Sequence, residues 1–187
     1  TFAHRLRKQH DAILVGIGTI LEDDSELTTR MVKGKNPVRI VLDTHLKISL
    51  MATVLNPAAD TIIVTSLDSD AVKGEAIASL PNVELIRLPL FEEKIPLPLL
   101  IEELTKRNIT SLLVEGGSEV LGSFKDMELA DRVYAFIAPK IVGGSGAVTP
   151  IGGEGSDLIS EGWQLEQVEY KLLGQDLMIT GLVPQSE

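Results

Sequence analysis

Five short apolar runs, each followed by a helical or turn-forming segment, constrain this chain more than anything else in it. Residues 12–15, 38–42, 61–65, 83–88 and 111–114 have strand length and are rich in Val, Ile and Leu. Runs of that kind suit strands covered on both faces. Helical patterns lie over residues 71–80, closed by Pro81, and over 98–107, with Leu99, Leu100 and Leu104 inward. Another begins at Ser118. Strand alternating with helix predicts an α/β fold with parallel central strands. A sixth strand is expected over 132–138, then an antiparallel hairpin of 164–172 and 177–182 around Gly174, which makes the sheet mixed. Residues 1–11 read as a helix with Phe2, Leu6 and the stem of Arg5 on one side. No capping residue precedes it, so the chain opens inside a helix. The glycine-rich stretch 142–155 reads as a loop, and a single domain over 1–187 is expected.

Composition removes whole classes of function. Acids outnumber bases 27 to 17, giving a net charge of -10. Nucleic-acid and anionic-membrane binders need clustered Lys and Arg, so neither partner is expected. No apolar run reaches the length of a membrane span. Cysteine is absent, which excludes disulfides, thiolate metal sites and cysteine nucleophiles. The three histidines, His4, His10 and His45, match no zinc spacing, so no metal is expected. These facts fit a cytoplasmic protein.

Three segments could carry chemistry. In 111–124 a buried strand meets the pair Gly116–Gly117 and then a helix from Ser118. Glycines admit a ligand close to the backbone, and the first peptide N–H groups of a helix suit a phosphate. Neither GxxxxGK[ST] nor GxGxxG is present, and a plain capped turn fits equally well. Glu115 lies at the strand's carboxyl end, where α/β sheets bind ligands. In 16–30, Gly16, Gly18 and Thr19 precede crowded acids (Glu22, Asp23, Asp24, Glu26) and Arg30. A solvated acidic loop is the ordinary reading of those acids. In 41–47, Asp43 and Thr44 follow a strand, either as a ligand edge or as a turn in which Asp43 caps backbone groups. His4, Arg5, Arg7 and Lys8 read as the wet face of the first helix.

Taken in order, 11–30, 37–44 (PVRIVLDT), 112–124 (LLVEGGSEVLGSF) and 138–144 (APKIVGG) resemble the pyrimidine reductases of riboflavin biosynthesis across essentially the whole chain. That resemblance implies a dihydrofolate-reductase-like fold: a mixed, mostly parallel central sheet flanked by helices, with a C-terminal antiparallel hairpin. It implies NADPH-dependent reduction of 5-amino-6-(5-phosphoribosylamino)uracil to its ribitylamino counterpart. By the same resemblance Thr19, Asp23, Thr44 and the stretch Gly117, Ser118, Glu119, Val120, Leu121, Gly122 and Ser123 contact the cofactor. Arg7, Leu27, Arg30 and Glu115 contact the substrate, and Asp23 is the candidate proton-handling group. Arginine forks match phosphate geometry, so an acidic chain can still hold an anionic substrate. His45 and Lys47, just past Thr44, are candidates for the cofactor's 2′-phosphate.

The family commonly forms homodimers and is often fused to a deaminase. Its members begin with a strand and an SxDG-type segment, and nothing here corresponds, so an N-terminal strand is expected to be missing. No HxE or PCxxC deaminase signature is present. Three other readings stay open: a reductase of the still-aminated 2,5-diamino pyrimidinone, a nucleotide-binding module without turnover, and a plain structural α/β domain with capped turns and an acidic loop.

Overall fold

The computed structural model describes residues 2–144, 146–147 and 149–184. They form two compact units, Thr1–Val120 and Leu121–Glu187.

The first unit contains α1 (Phe2–Gln9), β1 (Ala12–Gly16), α2 (Ile17–Asp23), β2 (Val38–Leu42), β3 (Thr61–Ser66), α3 (Ala71–Ala78), β4 (Val83–Leu88), α4 (Leu97–Lys106) and β5 (Leu112–Gly116). Its strands make one five-stranded sheet in the order β4-β3-β2-β1-β5, with every pair parallel. The apolar runs explain this. Every residue of β1 and β3 is buried, as required of strands covered on both faces. Ile13, Val15, Val41, Ile63, Ile77 and Ile48 pack into one core cluster. Burying each such side chain stabilises the fold by roughly 1.5–3 kcal/mol.

The helix α5 (Ser118–Asp126) starts in the first unit and ends in the second. The second unit adds β6 (Arg132–Ile137), β7 (Glu166–Leu173) and β8 (Asp176–Leu182). The expected hairpin of β7 and β8 is present and turns at Gly174, whose φ is 72°. It pairs with β6 through β8, so the antiparallel strands form their own sheet, β6-β8-β7. Parallel and antiparallel pairings thus lie in different sheets among the described residues.

Three local expectations are corrected. Leu99 is exposed, and α4 buries Leu97, Leu100 and Leu104 instead. The helix starts at Leu97, and its inward stripe follows the i, i+3, i+7 spacing from there. Arg5 is exposed, while His4 joins Leu6 in the buried face of α1. The segment after β1, read as a glycine break, contains α2. Gly16 is its N-cap and Ile20 its only buried residue, so no apolar stripe marks it.

The amino ends of β1 and β5 are stapled by one carboxylate. Asp11 Oδ2 accepts from the Thr110 N–H at 3.0 Å, the Thr110 hydroxyl at 2.9 Å and the Ser111 N–H at 3.0 Å. The Thr110 bonds, then those from Ser111, hold its pKa at about 2 against an ordinary 3.8. A depressed carboxylate gives stability that is full above its unfolded pKa and lost as pH falls through the folded one. Asp11→Asn is therefore expected to lower the urea midpoint at pH 7 and to lower it far less near pH 2. An equal loss at both pH values overturns the electrostatic account. No helix among the described residues is long and apolar enough to cross a membrane.

Candidate functional site

The strand order reverses beside β1. From β1 the chain moves to β2, β3 and β4 on one side, then returns to add β5 on the other. Ligands of open α/β sheets bind at such a reversal, outside the strands' carboxyl ends. Here that position lies beyond β1 and β5, where Gly16 leads into α2 and Gly116 into Gly117 and α5.

Both turns are closely approached. A Cβ on Gly116 would lie 3.0 Å from Thr19 Oγ1, and one on Gly117 would lie 4.0 Å from the same atom. Thr19 and the glycine pair therefore face each other. Gly117 has φ +80°, a conformation suited to glycine. A Cβ on Gly16 would sit 2.9 Å from Val120 Cγ2, so α5 packs directly on the start of α2. The first N–H groups of α5 open beside this turn, without partners in their own helix.

The bulge in β5 supplies a feature no sequence pattern signalled. Leu14 pairs with Val114 and Val15 with Gly116, leaving Glu115 as the extra residue. Bulges re-aim side chains beside binding sites. Glu115 Oε1 accepts from Arg7 Nε at 2.9 Å, and Oε2 accepts from Arg7 Nη2 at 2.6 Å. The two side chains are 14% and 21% exposed, so this fork is largely sheltered from solvent. Arg7 Nη1 also donates to the Thr28 carbonyl at 3.1 Å. Those three bonds leave two of the guanidinium's five N–H groups for a ligand. Arg7 is thus not the wet face of α1.

His4 reaches the same carbonyl, with Nδ1 2.9 Å from Thr28 O. A carbonyl only accepts, so Nδ1 carries the proton in this contact. Burial, with smaller contributions from Arg7 and Arg30, holds the imidazole below its ordinary pKa despite the Thr28 bond.

The acidic segment divides in two. Glu22 and Asp23 are exposed near the end of α2. Asp24 ends α2 at φ 42° and accepts from the Thr53 N–H at 2.8 Å and the Thr53 hydroxyl at 2.6 Å. Glu26 accepts from Asn56 Nδ2 at 3.0 Å and the Thr28 hydroxyl at 2.9 Å. These bonds lower the pKa of both carboxyls. Leu27 is buried at φ +57°, and Arg30 is largely exposed, 3.6 Å from Glu26. Sequence reasoning also missed Arg39, which is fully buried on β2. It donates to Asn56 Oδ1 at 2.9 Å, to the Asn56 carbonyl at 2.6 Å and to the Ala59 carbonyl. Its Nε has no partner, and burial pushes its pKa down to about 10.

At the end of β2, Asp43 is fully buried and accepts from the N–H groups of Lys47 and Ile48, both at 2.8 Å. It is the backbone-capping turn. The Thr44 carbonyl accepts from the Ser66 N–H and the Thr65 hydroxyl, each at 3.1 Å. His45 and Lys47 are exposed. In the second unit, a Cβ on Gly122 would lie 2.3 Å from the Gly152 carbonyl carbon, so residues 152–153 press on that helix face. Leu121 and Ser123 beside it are half-buried. No group of three or more metal-ligating side chains occurs among the described residues.

The chain is similar to known proteins over nearly its whole length. The profile described as the RibD C-terminal domain matches residues 1–179. The riboflavin biosynthesis protein RibD of Actinobacillus pleuropneumoniae is 37% identical over 179 residues, covering 95% of this chain and 47% of that protein. The 2,5-diamino-6-ribosylamino-4(3H)-pyrimidinone 5′-phosphate reductase of Methanothermobacter thermautotrophicus is 38% identical over 180 residues, covering 94% of this chain and 81% of its own length. Among solved structures, the diaminohydroxyphosphoribosylaminopyrimidine deaminase/5-amino-6-(5-phosphoribosylamino)uracil reductase of Thermotoga maritima superposes with a TM-score of 0.79 at 28% identity, over 98% of this chain and 48% of that one. The chain spans about half the length of the RibD relatives it matches. The dihydrofolate-reductase-like fold class expected from the resemblance is the one observed, with one correction: the antiparallel hairpin lies in a small sheet of its own and does not make the central sheet mixed. With the profile spanning both units and the fold shared, the chain belongs to the RibD C-terminal domain family.

Proposed function

We propose that this chain is an NADPH-dependent reductase of riboflavin biosynthesis, reducing the ribosyl group of 5-amino-6-(5-phosphoribosylamino)uracil to the ribitylamino product. The close approach of Thr19 to the Gly116–Gly117 turn, at the carboxyl ends of β1 and β5, is the observation that carries this reading. Thr19 faces the Gly116–Gly117 backbone there, and a Cβ on Gly116 would press on its hydroxyl at 3.0 Å, so only glycine leaves this backbone bare. Bare backbone leading into the start of α5 suits a pyrophosphate laid against main-chain amides. Thr19, Asp23, Thr44 and residues 117–123 are the proposed cofactor contacts, with Gly122 admitting the 152–153 backbone. When bound, the cofactor supplies the hydride.

The chain's own residues bind, orient and manage protons. Arg7 and Arg30 hold the substrate phosphate, with the two remaining N–H groups of Arg7 directed by its fork to Glu115. Glu115 and Leu27 place the ribosyl and pyrimidine portion. Asp23, exposed at the end of α2, handles the proton that reduction of an opened ribosyl imine consumes. Full turnover of Asp23→Asn with an unchanged pH profile removes that role.

A second reading has its own support. The Methanothermobacter reductase is matched over 81% of its length, and its name gives the diamino pyrimidinone as substrate. Assaying both pyrimidines with NADPH, by loss of reduced-nicotinamide absorbance, decides. Oxidation with either compound supports a reductase and identifies the substrate. Saturable binding without oxidation supports the binding module, and no saturable binding overturns the cofactor site.

The profile match across residues 1–179 supports treating the two units as one reductase domain. A homodimer and a cytoplasmic location belong to the same proposal. Val168, Tyr170 and Leu172 leave an exposed apolar row along β7, which a second copy would cover. Sedimentation as a monomer at assay concentration removes the dimer.

A further inference from the structure

We propose that His4 is a positioning residue for the substrate grip, acting through the Thr28 carbonyl that it shares with Arg7. This rests on the reading in which Arg7, Leu27, Arg30 and Glu115 contact the substrate.

His4 and Arg7 lie three residues apart on α1, so their side chains project from one face of it. Both end on one oxygen: His4 Nδ1 at 2.9 Å and Arg7 Nη1 at 3.1 Å from Thr28 O. Two donors fill the two lone pairs of that carbonyl. Thr28 is buried, so the carbonyl has little access to water if a donor is removed. The residue before it, Leu27, is buried at φ +57°, a left-handed conformation that leucine adopts only when its surroundings hold it. Two residues further on lies Arg30. The carbonyl is therefore the fixed point of the segment that presents Leu27 and Arg30.

The same point fixes Arg7. A planar guanidinium is set by its hydrogen bonds, here two to Glu115 and one to Thr28. Without His4 the Thr28 peptide can turn away, and Arg7 keeps only its hold on Glu115. A histidine that merely filled the core would have no such link. This one donates to the oxygen that orients Arg7.

Two variants of the purified enzyme test this: His4→Leu, which removes the donor, and His4→Asn, which keeps a short one. His4→Leu is expected to raise KM for the pyrimidine substrate about tenfold, the ratio set by one lost hydrogen bond. KM for the cofactor should stay within about twofold, because no lost bond reaches the β1–β5 edge. In ¹⁵N–¹H spectra the Arg7 Nε–H signal should shift and lose its protection from exchange. His4→Asn should restore both readouts. If the Arg7 signal is unchanged in His4→Leu, or if substrate and cofactor KM rise together, the inference is wrong. Should His4→Leu fail to fold, His4→Met, which also lacks a donor and keeps the volume, is read in the same way. Arg7→Lys separates this inference from the site reading. If it leaves substrate KM unaltered, the substrate site is wrongly placed, and the Arg7 spectrum still decides whether His4 positions it.

Discussion

Arg7→Ala is expected to lower kcat/KM for the pyrimidine phosphate by about 10²–10³-fold, since truncating one partner of a sheltered charged pair costs about 3–4 kcal/mol. Two losses combine. The substrate loses the N–H groups that Arg7 has left after binding Glu115 and Thr28. Glu115, 21% exposed, is left without its two-pronged partner. An unpaired, partly buried carboxylate also costs about 1–3 kcal/mol of folding stability. Arg7→Lys keeps a charge but not the fork, so its kcat/KM should lie between wild type and alanine. Steady-state kinetics and urea midpoints on the two variants are the measurements. If Arg7→Ala loses stability but keeps its substrate KM, the pair is structural only.

Arg39→Ala should be the most destabilising single change, by about 3–5 kcal/mol, because it empties a fully buried long side chain and removes its hydrogen bonds. For a chain of this size that is a drop in Tm of roughly 6–20 °C. Arg39→Met should recover much of it. Methionine refills the volume, and Asn82 Nδ2 already donates to the Asn56 and Ala59 carbonyls at 2.8 and 3.0 Å. Methionine also relieves the cost of burying a guanidinium whose Nε is unpartnered. Calorimetry of both variants checks the order. Equal losses would mean that charge, rather than volume, dominates at this position. Because Asn56 also holds Glu26, a modest rise in substrate KM should accompany the alanine variant.

What could be read from the sequence followed from how each signal arises. The runs at β1, β2 and β3 are apolar because both faces of those strands are covered, and such runs are visible locally. Glycine at 116 and 117 and the helix after Ser118 likewise follow from local backbone demands, and Thr19 does face them. The polar burials were different. His4 and Arg39 sit inside because carbonyls from distant segments meet them there, at Thr28, Asn56 and Ala59. Nothing in the residues around them marks this. Glu115 was placed at the right strand end, but its partner was not found. The pairing with Arg7 depends on a bulge that exists only once β5 lies against β1. The acidic segment looked uniform, yet Thr53 and Asn56 claim Asp24 and Glu26 and leave Asp23 free in solvent.

The parallel pairing of β1 with β5 also has a kinetic consequence. Asp11 and Ser111, which bond at the start of that pairing, are 100 residues apart, whereas β1 meets β2 through Ala12 and Val38. Closing the longer loop costs more chain entropy, and non-local strand pairs form slowly. The nascent chain can therefore assemble the β1–β4 side while the β1 margin still waits, bare and apolar, for its last neighbour. The β1–β5 edge is completed only by that docking event, so a chain caught before it would be prone to stick to its own kind.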